Sequence, residues 1–118
     1  MVVGAETHQK PDETNVKDYA FYGRLTGFKR FVQVAGTQHG SFTDSMWLYP
    51  QLGAAGLIPW SSLPNVPSVQ HAVGTIDMNR GVLITRTYVR SFFDRSLKDQ
   101  DDHLLDGDSV DYPEIKVY

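Results

Sequence analysis

Apolar positions along the chain fall into two short runs, one long periodic stretch and a broken middle. The first run, Met1-Val2-Val3-Gly4-Ala5, is partly β-branched and uninterrupted, which predicts a buried strand over residues 1–5. A polar segment, THQKPDETN, follows. Val16, Tyr19 and Ala20 then recur at helical spacing and predict a helix over residues 15–25, weakened by Gly23 and stopped by Gly27. In FKRFVQVAG, Phe31, Val32 and Val34 mark a second strand over residues 29–35 that ends at Gly36. Strand, helix and strand over about thirty residues is the size of a βαβ unit, so the two strands are expected to be parallel neighbours.

Past Gly36 the pattern changes. In SFTDSMWLY, Ser41 fits a helix N-cap with Asp44 three positions on, and Pro50 limits the helix that follows. Residues 51–74 are punctuated by Gly53, Gly56, Pro59, Pro64, Pro67 and Gly74 and read as irregular, with Trp60 and Leu63 packed down. The strongest helical pattern is TIDMNRGVLITRTYVRSFFDRSLKD. Asp77 is its N-cap, and Met78, Val82, Thr85, Val89, Phe92 and Phe93 form an apolar stripe. Arg86, Arg90, Asp94 and Lys98 run from the flank to the far side. The tail is polar until IKVY, a short extended piece that Pro113 keeps off a central strand position. The expected fold class is therefore α/β: a short parallel sheet with flanking helices and a long C-terminal amphipathic helix over residues 78–97.

Composition narrows the function classes. With 118 residues, 41% of them apolar, the chain suits one domain; a chain of this size buries about 65% of its unfolded surface. A net charge of −3 with interspersed signs gives no basic footprint for nucleic acid and no polybasic membrane patch. There are no cysteines, which excludes thiolate zinc sites, disulfides and cysteine nucleophiles. No apolar run approaches the ~20 residues of a membrane span, and MVVGAETHQK lacks the features of a signal peptide, which makes a cytoplasmic location the default expectation.

The chemistry centres on VAGTQHGSFTDSMW, where His39 stands between glycines just past a strand and just before a helix. A histidine on such a loop is either a general base or a loop residue bonded to backbone. The segment VAGTQHGSFTD resembles the histidine segment of bacterial α/β-hydrolases related to platelet-activating factor acetylhydrolase and dienelactone hydrolase. ITRTYVRSFFDRSL followed by LLDG resembles their closing helix and tail. The likeness covers nearly the whole chain and implies the C-terminal segment of an α/β-hydrolase domain spanning residues 1–118, with His39 as the triad base of a serine ester hydrolase.

That family's nucleophile is the serine of G-x-S-x-G, upstream of acid and histidine. No complete G-x-S-x-G occurs here. Gly107-Asp108-Ser109-Val110-Asp111 fails at its fifth position and follows a helix rather than a strand. The resemblance thus implies a base without its serine, inactive alone. Glu6, at the end of the first strand, is the candidate orienting acid; in the acetylhydrolase-like branch the acid can come from the preceding strand, and Glu6 then lines the site. Met46, Trp47 and Trp60 are either acyl-pocket walls or core. Asp44 reads as a helix-start charge, and His8, His71 and His103 as solvated loop residues, with no metal-ligand spacing among them and no cofactor signature.

Three classes stay open: the hydrolase segment, a non-catalytic α/β partner-binding module, and a small enzyme of unrelated mechanism. The expected partners are an ester substrate once the chain is complemented, and either the missing N-terminal portion or a second copy of the chain, seated on the open edge of the first strand.

Overall fold

The two short apolar runs form strands β1, Val2–Ala5, and β2, Phe31–Val34, paired in parallel with Val2 opposite Phe31 and Ala5 opposite Val34. The computed structural model describes residues 1–8, 16–59, 61 and 63–118, and the backbone alone of 16–19 and 64. The expected helix start at residue 15, the side chains of Val16 and Tyr19, and the packing of Trp60 lie outside the described residues. Helix α1, Val16–Arg24, links the two strands.

The sheet is mixed rather than parallel. Strand β3, Ile115–Val117, pairs antiparallel with the other edge of β2, placing Ile115 opposite Val34 and Val117 opposite Val32. The tail approaches β2 from the opposite direction, and reciprocal bonds between the Phe31 and Tyr118 backbones (3.1 and 2.9 Å) close the ladder at one end. Pro113 is exposed and lies outside β3, itself an edge strand among the described residues, so its missing N–H breaks no bond of the ladder.

Helix α4, Met78–Lys98, begins as expected at Asp77, whose side chain accepts the Arg80 N–H at 2.8 Å. Its buried face differs from the expected stripe. Met78, Gly81, Ile84, Tyr88 and Ser91 are buried, whereas Val82, Thr85, Val89 and Phe92 are half-buried and Phe93 is 50% exposed. The reason is close approach: a Cβ on Gly81 would run into the Met46 side chain, and Ser91 Oγ donates to Asp102 Oδ1 at 2.6 Å. The small residues at 81 and 91 let neighbouring side chains approach, and Ile84 and Tyr88 between them fill the core. The main core joins Val32, Val34, Ile84, Tyr88, Leu105 and Ile115, and a second cluster joins Met46, Val73 and Met78.

Three expectations for the middle of the chain are corrected. Ser41 caps no α-helix; it is buried within a 3-10 turn, His39–Phe42, and helix α2, Ser45–Ala54, starts after Asp44. Pro50 does not end α2 but sits buried inside it, where it has no N–H to give the helix. Within 51–74, Pro67 opens a further helix, α3, Pro67–Val73, because proline at the first helical position removes only an N–H that has no helical partner. Among the described residues, no helix is long and apolar enough to cross a membrane.

Candidate functional site

The loop carrying His39 is fixed from below. Gly36 turns the chain at φ 72°, and its carbonyl accepts from Thr75 N (2.8 Å) and Ile76 N (3.0 Å) at the link between α3 and α4. Gly74 lies directly against this carbonyl, at φ 78°, where a Cβ would overlap the oxygen. Thr37 Oγ1 donates to Val34 O at 2.6 Å, Gln38 N donates to Ser41 Oγ at 2.9 Å, and Ser41 Oγ donates to Val73 O at 2.7 Å. Gly40 abuts the Ala72 carbonyl so closely that a Cβ there would clash. The glycines and hydroxyls of GTQHGS thus dock the loop on α3, leaving His39 exposed at the start of the 3-10 turn.

The end of β1 meets this loop from the other side. Glu6 Oε2 accepts the Gly36 N–H at 2.8 Å. His8 N donates to Ala5 O at 2.9 Å, and Ala5 N donates to His8 Nδ1 at 3.1 Å, closing a turn over residues 5–8. Gln33 Nε2, projecting from β2, donates to both Glu6 O (2.9 Å) and His8 O (2.8 Å). The His8 ring then stands edge-to-face against His39, with centroids 6.0 Å apart and planes at 76°.

Glu6 and His39 therefore share one sheet edge, the carboxyl end of two parallel strands, but their side chains are not hydrogen-bonded to each other among the described residues. The carboxylate holds the loop backbone instead. His8, expected as a solvated loop residue, is the group that touches the His39 ring. Its position two residues past Glu6, at the same strand end, is the signal that could have found it.

No serine among the described residues is hydrogen-bonded to His39. Ser41 is buried and committed to Val73 O, and Ser109 sits in a turn where its hydroxyl accepts from Asp111 N at 3.3 Å. Met46 and Trp47 do line a shallow groove of about 190 Å3 between the histidine turn and α4, together with Phe42, Val82 and Arg86. Met46 is buried in its floor and Trp47 is 58% exposed at its rim.

The remaining histidines lie elsewhere. His71 is exposed on α3. His103 belongs to the tail, where its Nδ1 lies 2.8 Å from Asp106 Oδ2, and the bond to this carboxylate raises the ring's pKa above the ordinary histidine value. Asp101, His103 and Asp106 bring possible ligand atoms within 4.8 Å of one another, all exposed. The Arg95 guanidinium already bridges both carboxylates, at 3.1 and 2.7 Å, so the cluster is satisfied as an ion-pair network.

No protein-family model matches the sequence, and no curated protein does. The structure is similar to that of a ferulic acid esterase from Streptomyces cinnamoneus, with a TM-score of 0.70 and 32% sequence identity over 98% of this chain. The matched region is 32% of that esterase, so the chain spans about a third of its length. The similarity supports a mixed α/β fold shared with the matching third of that esterase.

Proposed function

We propose that the chain is the histidine-bearing portion of a serine ester hydrolase and that His39 is its general base, taking the proton of a serine hydroxyl and returning it to the leaving alcohol. One observation carries the reading: the likeness to a ferulic acid esterase extends over 98% of a chain that holds an exposed histidine on a rigid loop past a parallel strand. That is where ligands bind in open α/β sheets. The serine and its oxyanion donors come from polypeptide outside residues 1–118, because the sequence has no complete G-x-S-x-G. The orienting acid comes from the same source, and Glu6 holds the loop backbone. The complementing portion, or a second copy, sits on the outer edge of β1, which pairs with no strand but β2 among the described residues. Esters of ferulic acid are the first substrates to test, with the groove beside Trp47 as the acyl site.

The purified chain should hydrolyse activated short-chain esters no faster than buffer and take no fluorophosphonate label; stoichiometric labelling of a serine would overturn the reading. In a chimera where the chain replaces the matching third of the esterase, His39→Ala should lower kcat/KM by several orders of magnitude. A loss under roughly tenfold would remove His39 as the base.

A further inference from the structure

The torsion that sets the plane of an imidazole is broad and two-fold, so a histidine base is oriented only by what its ring touches. In a serine triad a carboxylate on Nδ1 does this. His39 has no such partner among the described residues: Glu6 bonds Gly36 N, and the ring's neighbour is His8. His8 is exposed but held by hydrogen bonds at its ring and its carbonyl. Its Nδ1 accepts the Ala5 N–H, and a backbone N–H can only donate, so the neutral ring carries its proton on Nε2. Its carbonyl is tied to Gln33, and its Cβ passes over Gly4, where a further Cβ would be 3.2 Å away and would also crowd Phe31.

From this geometry we infer that His8 is a positioning residue for His39: a ring locked in the Nε2–H tautomer at the end of β1 whose edge-to-face contact sets the plane of the imidazole on the loop after β2. The role rests on the reading of His39 as the base. Glu6 and His8 divide the work within one turn, the first fixing the loop backbone and the second the ring. Asparagine at position 8 keeps an acceptor where Nδ1 stands but presents no ring, and phenylalanine keeps a ring but no acceptor. The two variants therefore separate contact with His39 from closure of the turn.

Imidazole NMR of the full chain reads this without turnover. In the wild type, His8 should show an unprotonated Nδ1 and a protonated Nε2, with nuclear Overhauser contacts between the two rings. His8→Asn should shift the His39 ring resonances and move its tautomer ratio towards that of free histidine while the Ala5 and Gly36 amides keep their positions. His8→Phe should hold the His39 resonances displaced from free-histidine values. A proton on His8 Nδ1, or an unchanged His39 ring in the asparagine variant, overturns the assignment. Should the asparagine variant lose its Ala5 amide signal, the phenylalanine variant decides: free-histidine resonances for His39 there overturn it as well. The base reading fails separately, in the chimera's turnover, and leaves these spectra unaffected.

Discussion

Glu6 Oε2 accepts the backbone N–H of Gly36 at 2.8 Å, joining the ends of β1 and β2 across thirty residues of chain. The bond gives the candidate acid a part as tether of the histidine loop, and the two roles separate experimentally. Glutamine offers the same amide an uncharged acceptor, so Glu6→Gln should keep the Gly36 amide slow to exchange, whereas Glu6→Ala should speed its exchange. In the esterase chimera, Glu6→Gln should cost less than tenfold in kcat. A loss near 10⁴-fold, the scale set by neutralising a triad acid, would return Glu6 to the triad.

Gly74 and Gly36 predict a strong effect from one methyl group. Gly74→Ala places a Cβ on the Gly36 carbonyl and forces a left-handed conformation on alanine, so it should destabilise the chain by about 2 kcal/mol or more. Gly56 has a similar φ of 69° but open space around it, so Gly56→Ala should show only the conformational cost, about 1 kcal/mol. Urea denaturation of both variants measures the difference, and equal losses would mean the Gly36–Gly74 contact gives way.

The tail cluster sets a pH window. Bonding to Asp106 raises the His103 pKa, so its contribution to stability is complete below about pH 6.5 and fades as pH rises through the raised value. Asp106 is lowered, first by Arg95 and then by His103, so its contribution is complete above about pH 3.9 and fades as pH falls through the depressed value. The cluster should hold tightest between those limits. Asp106→Asn should bring the NMR titration midpoint of His103 down towards the ordinary value; an unmoved midpoint would show that the pair does not form in solution.

Tyr88 is 1% exposed, and among the described residues its hydroxyl has no hydrogen-bond partner. Burial pushes the phenol up to about 12, so it stays neutral through the working pH range. An unsatisfied buried hydroxyl costs about 1–3 kcal/mol, and phenylalanine keeps the edge-to-face contact with Tyr112. Tyr88→Phe should therefore raise the thermal midpoint by roughly 2–6 °C. A lower midpoint would mean the hydroxyl finds a partner in solution.

The local elements were legible because their causes are local. An uninterrupted, partly β-branched apolar run made β1, Asp77 capped α4 through the amide three residues on, and the glycines around His39 marked a loop. Which face of α4 turned inward was not, because the face carrying Ile84 and Tyr88 also carries Gly81 and Ser91, whose small size matters only when Met46 and Asp102 stand opposite. The antiparallel partner of β2 was hidden for a similar reason: Ile115–Val117 is too short to declare a direction, and only the return of the tail supplies one. At the candidate site, spacing along the chain located His39 and Glu6 at strand ends, since any parallel pair brings such ends to one edge. It could not say what each side chain would meet there. Glu6 found a backbone amide and His8 found the imidazole, pairings 30 and 31 residues apart that exist only once β1 and β2 lie in register.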